Sequence, residues 1–264
     1  MLTARVRFNR RLKDLLGRAA GIGGVYTRRF RRHMTIVAFH RVTDELPADG
    51  LTCSSAGFEA FCRFFARHFR VLPLSEQLAR GRDLGGTLSI TFDDGYRDNV
   101  EVAAPILSRL GLPATFFVTT GFIGSQVVPP WDRQLPRQPG WMTWDQVRSL
   151  KAMGFEIGSH TDTHLDLAKV DAAVARTDLA ASHQKLTQAL GAAPRLFAYP
   201  FGGAQHITPA ARELVRGAGF ACCASCHGGV NPSAPDPFDL RRIGIAEWFN
   251  SPNQFGFELA SGRA

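Results

Sequence analysis

Long hydrophobic runs are missing from this 264-residue chain. No stretch of about 18 apolar residues occurs, which excludes a membrane-spanning helix. The N-terminus has no continuous apolar segment ahead of a small-residue cleavage site, so a secretory signal peptide is not expected. Cysteine is sparse and odd in number, five in all (Cys53, Cys62, Cys222, Cys223, Cys226), which excludes a disulfide framework and makes a reducing, cytoplasmic setting the simpler expectation. There is no internal repeat and no low-complexity tract. Acidic residues are nearly absent from positions 1–34, where Asp14 stands alone against ten Arg and Lys. That segment carries +9 of a formal total of +8, so the remaining chain is close to neutral.

What is present is the composition of an ordinary globular protein, 45% hydrophobic and 20% charged. In the basic segment, Phe8, Leu12, Leu15, Leu16 and Ala19 follow i, i+4, i+7, i+8, i+11, an amphipathic helical stripe. Residues 1–34 therefore read as a basic helical arm preceding a domain over 35–264. Two fates suit such a helix. It can dock on its own domain with a solvated basic face, or lie on an anionic membrane surface as a peripheral contact. Nucleic acid is set aside, because no DNA-binding motif or interleaved aromatic platform accompanies the charge.

Beyond the arm, short apolar runs alternate with helical periods. Candidate strands are Thr35–Phe39, Leu88–Phe92, Ala114–Val118, Phe155–Gly158, Leu196–Tyr199, Phe220–Ala224 and Arg242–Ile245. Between many of them lie Phe58–His68, Val100–Leu110, Thr143–Met153, Ala172–Leu190 and Pro209–Ala218. Strands alternating with helices of about 10–15 residues point to βα units and a parallel sheet, and seven of them suit a single α/β barrel better than two small domains. Gly111, Gly154 and Gly219 stand where helices should stop. Val127–Gly140, with four prolines, reads as an irregular loop.

Polar residues gather where these strands end. His40 follows TIVAF, Asp93 and Asp94 follow LSITF, His160 follows FEIGS, and Phe201 and Gly202 follow LFAYP. In parallel barrels the active site forms at the C-terminal strand ends. Two adjacent carboxylates there allow one to hold a divalent metal while the other acts as general base. On its own Asp-Asp-Gly is weak, because Asp-Gly is also a turn former. His160 and His164, at i and i+4, can share one side of a helical turn and complete a two-His, one-Asp site with open positions.

TFDDGY, SHTDTH and FAYPFG resemble, in order and spacing, the first three motifs of the polysaccharide deacetylase family, the NodB-homology or carbohydrate esterase 4 group. The likeness runs from about Thr35 to Ile245. It implies a distorted (β/α)7 barrel, one divalent cation (often zinc, with cobalt or nickel as alternatives), and hydrolysis of N-acetyl groups on amino-sugar polymers or oligomers. By matching positions, Asp94, His160 and His164 look like the metal ligands and Asp93 like the base. The Tyr199-Pro200-Phe201-Gly202 turn looks like substrate-binding wall, with the Phe201 N–H facing the oxyanion.

The chain departs from the family pattern in two places. The arginine that often precedes the third motif's proline and buttresses the base is replaced by Phe197-Ala198-Tyr199, with Arg195 nearby. The late Leu-x-His that supplies a general acid reads Leu240-Arg241-Arg242. His40 is then the first candidate for the acid and His227 the second. Cys223-Ala224-Ser225-Cys226-His227 also spells the CxxCH haem-attachment pattern, against which buried thiols on a barrel strand are the simpler reading. The other histidines, His33, His68, His183 and His206, lack partner spacing and read as surface residues. The expected function is metal-dependent N-deacetylation of an amino-sugar glycan. The alternatives are deacylation of a small non-peptide amide, and a glycan-binding relative without catalysis.

Overall fold

The computed structural model describes residues 4–22, 26, 31, 33–80, 85–232, 234–249 and 251–262; of residues 4–10 and 22 only the backbone is described. Parts of the arm (1–3, 23–25, 27–30 and 32) and the last two positions, 263 and 264, lie outside the described residues, as does the side chain of Phe8. Helix α1 (Ala4–Ile22) leads to β1 (Met34–Phe39), which is followed by two short paired strands, β2 (Arg41–Val42) and β3 (Thr52–Cys53). Then come α2 (Ser55–His68), β4 (Arg70–Val71), α3 (Leu74–Ala79) and β5 (Thr87–Phe92). A π turn at Asn99–Ala103 opens α4 (Ala104–Leu110), and β6 (Thr115–Val118), α5 (Trp144–Ala152) and β7 (Glu156–Ser159) follow. The chain finishes with α6 (Ala172–Leu190), β8 (Leu196–Ala198), α7 (Pro209–Gly217), β9 (Cys222–Ala224), β10 (Ile243–Gly244) and α8 (Pro252–Ala260). Among the described residues no helix is long and apolar enough to cross a membrane.

The helix starts are written locally. Ser54, Thr143, Thr208 and Ser251 each cap a helix by accepting a backbone N–H with the side-chain oxygen, worth about 1 kcal/mol apiece. Thr143 and Gln146 form a reciprocal capping box. At the other end, Gly111 takes a left-handed φ of 64° at the C-cap of α4, where a Cβ would be strained.

Seven strands run parallel in the order β10-β1-β5-β6-β7-β8-β9, and β4 lies beside the first residues of β5. The sheet curls until its ends meet. Leu240 bridges Ala224 at the end of β9, and three residues later Ile243 pairs with Val37 of β1. The result is the distorted α/β barrel expected from the strand–helix alternation. The strands missed in the sequence, β2, β3 and β4, have only two residues each, too few for a period to show.

Side-chain alternation sorts the barrel into two faces. Val37, Phe39, Leu88, Ile90, Phe92, Phe116 and Val118 point outward into the large core shared with α2, α4, α5 and α8. Met34, Ile36, Phe117, Leu196, Ala198, Cys222 and Ala224 form a smaller cluster inside. Gly158 must lack a side chain, because a Cβ there would stand 2.5 Å from the Phe117 ring. By the same count of two, Thr91 on β5, Asp93 just after it, His160 after β7 and Arg242 before β10 belong to the inner face.

Helix α1 docks on α8 through its polar and glycine face. Lys13 Nζ reaches Glu258 at 2.9 Å, Asp14 accepts from Ser251 and Asn253, and the Tyr26 hydroxyl donates to the Gly17 carbonyl at 2.6 Å. A Cβ on Gly17 would stand 1.9 Å from the Asn253 carbonyl oxygen, so this close approach requires glycine.

Candidate active site

Register brings the strand-end residues together. Phe39 pairs with Phe92, and the Asp93 N–H donates to the Phe39 carbonyl at 3.0 Å, which sets His40 beside Asp93. Val118 pairs with Ser159, so His160 leaves β7 at the same height, and its Nδ1 lies 2.8 Å from the Ala198 carbonyl on β8. That contact requires a proton on Nδ1 and turns Nε2 toward Asp94.

The His160 Nε2 lies 3.4 Å and the His164 Nε2 3.3 Å from Asp94 Oδ1. One donor atom from each of the three residues falls within 4.8 Å of the others. His160 and His164 do not share a helical turn. Residues 160–164 form a loop in which Thr161 (φ 66°) and His164 (φ 58°) are left-handed. Asp178 of α6 holds it, accepting from the N–H groups of Asp162 and Thr163 at 2.7 and 3.0 Å. A carboxylate taking two consecutive N–H groups competes with helix formation, which explains the departure from the helical expectation. Asp94 (φ 74°) and Phe201 (φ 63°) are left-handed too, so among the described residues the four non-glycine residues with positive φ all sit at or beside this site. Such clustering is typical of functional sites, where packing holds a strained backbone.

Asp93 is fully buried, and both its oxygens accept from Arg242, Nη1 to Oδ1 at 2.7 Å and Nη2 to Oδ2 at 2.6 Å. Burial would raise the Asp93 pKa, but the Arg242 guanidinium outweighs it and holds the carboxyl below the ordinary aspartate range. Arg242 is itself buried; it also donates to the Ser225 carbonyl and the Thr91 hydroxyl and lies 5.5 Å over the Phe117 ring. This residue supplies the buttress that sequence reasoning sought before Pro200. Arg195 does not, for it precedes β8 at the far end of the barrel. Arg242 was legible only as a lone arginine at an inward position of an apolar strand, in the very stretch where a histidine had been sought.

His40 Nε2 lies 3.9 Å from Asp93 Oδ2 on the cavity side. Burial lowers its pKa, overriding the raising effect of Asp94 and Asp93. Burial acts on His160 in the same direction, but there the two carboxylates win and its pKa rises. Asp94 is held well below its ordinary value against the pull of burial, by the two imidazoles that face it. A field that favours a proton at this point favours any other cation there.

The site opens into a cavity of about 620 Å³ bordered by Trp131, Tyr199, Phe201 and Trp248. Phe201 is 53% exposed, with its ring 4.8 Å from that of His164. Tyr199 has its ring in the core beside Phe197 and its hydroxyl donating to the Phe238 carbonyl at 3.4 Å. Pro200 and Gly202 complete the turn, and the Gly202 N–H donates to the Pro200 carbonyl. Among the described residues no acceptor takes the Phe201 N–H.

The remaining sequence candidates disperse. Cys223 packs in the core while Cys226 reaches the Asp93–Arg242 pair, Nη2 donating to Sγ at 3.1 Å, so the two thiols of the CxxCH pattern point to different places. Burial pushes the Cys226 thiol up to about 11. His227 pairs with Asp239 at 3.0 Å and does not border the cavity. His206 is not a free surface residue; its Nδ1 meets Asp166 at 2.6 Å and its ring lies 5.6 Å from that of Phe201. His68 and His183 pack against Phe64 and Phe220, and His33 is exposed.

A family model described as "Polysaccharide deacetylase" matches residues 80–222, more than half of the chain. The chain belongs to the polysaccharide deacetylase family. Over 172 residues it is 29% identical to YxkH of Bacillus subtilis (strain 168), covering 65% of this chain and 56% of that protein. A chitin deacetylase of Pestalotiopsis sp is 31% identical over 115 residues, covering 44% of this chain and 34% of that protein. The chain thus spans about half or less of the length of these curated relatives. Among solved structures, the Streptococcus pyogenes deacetylase PplD in complex with acetate superimposes with a TM-score of 0.72 at 21% identity, covering 84% of this chain and 96% of that one. IcaB from Ammonifex degensii gives 0.70 at 23%, covering 88% and 98%. At these identities the likeness speaks for the fold. Members of the polysaccharide deacetylase family generally use a divalent metal, and Asp94, His160 and His164 form a candidate site for one.

Trp131, missed in the sequence within the proline-rich loop, lies over His164 with ring centroids 4.5 Å apart. Its indole N–H donates to the Tyr96 hydroxyl at 2.9 Å, which donates to Asp132 Oδ2 at 2.9 Å, and buried Arg41 donates to Asp132 Oδ1. A Tyr96→Phe variant leaves the Trp131 N–H without its acceptor and Asp132 Oδ2 without its donor. It is expected to lose about 1–3 kcal/mol in urea unfolding, and to raise KM several-fold more than it lowers kcat as Trp131 loses its anchor.

Proposed function

We propose that this chain is a hydrolase that removes N-acetyl groups from amino-sugar polysaccharides or oligosaccharides with one divalent cation, zinc before cobalt or nickel. On this reading residues 35–264 form the catalytic domain and 1–34 an arm. The observation that carries it is an orphan. Asp94 Oδ1 is buried and, among the described residues, has no hydrogen-bond donor, while two imidazole nitrogens approach it at 3.3 and 3.4 Å. A buried carboxylate oxygen left unpaired is costly, and two imidazoles with one carboxylate are a donor set that suits zinc with open positions. The residues therefore fit the cation.

When bound, a divalent cation supplies Lewis acidity to an amide carbonyl and lowers the pKa of water. The protein does the rest. Asp93, kept ionised by Arg242, accepts the proton of the attacking water. The Phe201 N–H points its dipole at the oxygen where negative charge develops. His40, on the cavity side of Asp93, is placed to take over that proton and deliver it to the leaving amine. Tyr199, Pro200, Phe201 and Gly202 wall the sugar site, and exposed Phe201 offers a face for stacking.

The test is acetate release from N-acetylated chito-oligosaccharides, with chelator and with Zn²⁺ or Co²⁺ restored, beside metal content by mass spectrometry. Chelator-sensitive release with one ion per chain is expected, and His160→Ala and His164→Ala should each cost the bound ion. An ion bound through these residues without acetate release would move the substrate to another amide. Absence of bound metal would sink the proposal.

A further inference from the structure

The apolar stripe of α1 is not what holds the helix to its domain. The docked face is Lys13, Asp14 and Gly17 against α8. At 3.6 residues per turn, Leu12, Leu15 and Leu16 fall on the opposite side of the helix. They are 44%, 64% and 43% exposed, which sets this helix apart from the rest of the fold, where large apolar residues are mostly buried. Arg11 and Arg18 are exposed along one edge of the stripe. The one acidic residue of positions 1–34, Asp14, is turned inward and bonded to Ser251 and Asn253. The outer face is therefore leucine flanked by arginine, with no carboxylate of its own.

We infer that α1 is a peripheral dock for an anionic lipid bilayer, with Leu12, Leu15 and Leu16 entering the acyl boundary and Arg11 and Arg18 meeting the headgroups. Exposed leucines alone would fit several partners. The excess of positive charge around them selects a surface of opposite sign, and an amphipathic helix lying flat is the form such a contact takes. The placement also matters for access. Glu258, which Lys13 grips, borders the active-site cavity, so the docked helix stands next to its mouth. This inference goes beyond the hydrolase reading and does not depend on it.

The experiment is co-sedimentation of the full chain with vesicles of equal parts phosphatidylglycerol and phosphatidylcholine, against phosphatidylcholine alone. Sedimentation with the anionic vesicles, weakening as salt rises from about 0.1 to about 0.5 M, is expected. The triple variant Leu12→Gln, Leu15→Gln, Leu16→Gln keeps helix propensity and should bind about tenfold or more weakly. Arg11→Gln and Arg18→Gln should each cost about fivefold. Acetate release from soluble oligosaccharide is read in parallel and should not move, which separates a failed dock from a failed hydrolase. Equal binding by the triple variant overturns the inference, as does failure of the parent chain to sediment. A dimer that depends on the three leucines, without vesicle binding, overturns it in favour of a second copy.

Discussion

Replacing Arg242 by methionine should destabilise the protein by about 3–5 kcal/mol and abolish measurable turnover. The magnitude follows from what is left behind, a buried Asp93 with both oxygens stripped of the guanidinium and only the Cys226 thiol still donating to Oδ2, and removing one partner of a buried ion pair costs that much. The pH dependence gives a second readout. The Asp93 pKa is lowered in the folded chain, so the stabilisation from the pair is fully present above the ordinary aspartate pKa of about 4 and is lost as pH falls through the lower folded value. In the methionine variant the carboxyl stays buried without its cation, its pKa should rise, and stability should fall as pH increases from 4 toward neutrality. Urea unfolding at about pH 3 against about pH 4.5 reads the sign in the parent, and at about pH 4.5 against about pH 7.5 the sign in the variant. An Arg242→Met, Asp93→Leu double variant should recover much of the loss, because neither charge then remains. A double variant as unstable as the single one would show that Arg242 matters through packing rather than charge.

Asp93→Asn should lower kcat by about 10²–10⁴-fold, the range a positioned general base supplies, while the cation stays bound at one per chain. The amide keeps one acceptor for Arg242 and cannot take a proton from water. KM should change little, since Asp93 borders the cavity at its buried end, beside Asp94, and not among the aromatic residues proposed to wall the sugar. If metal content fell along with turnover, Asp93 would be a ligand or a support of the ligands and the division of labour with Asp94 would be wrong. Turnover within a few-fold of the parent would remove Asp93 from the chemistry altogether.

Much of this arrangement was legible in the residues. The seven apolar runs are the seven barrel strands, and the polar residues that follow them do converge, because parallel register carries the ends of neighbouring strands to one height. The partner of Asp93 was not legible. Arg242 lies 149 positions from Asp93, and only the pairing of β10 with β1, itself paired with β5, brings the two together. Trp131 was hidden for a different reason. The loop that carries it has no period, and its position is set by the buried Arg41–Asp132–Tyr96 network. The helical turn expected at His160–His164 failed because pattern reasoning counts spacing and does not see Asp178 waiting on α6 to take two of its N–H groups. The stripe on α1 was read correctly as amphipathic, but the wheel could not tell which face docks, and Gly17 decided that.

The barrel closes between β9 and β10 through the single bridge of Leu240 to Ala224, and Arg242 crosses the same seam to the Ser225 carbonyl on its way to Asp93. One side chain therefore both fastens the closure and favours the ionised form of Asp93. A lineage carrying this solution has little freedom to drift at either task. Relaxing the seam would detune the carboxylate, and detuning the carboxylate would loosen the seam. Substitutions should be tolerated around the rest of the barrel long before they are tolerated here.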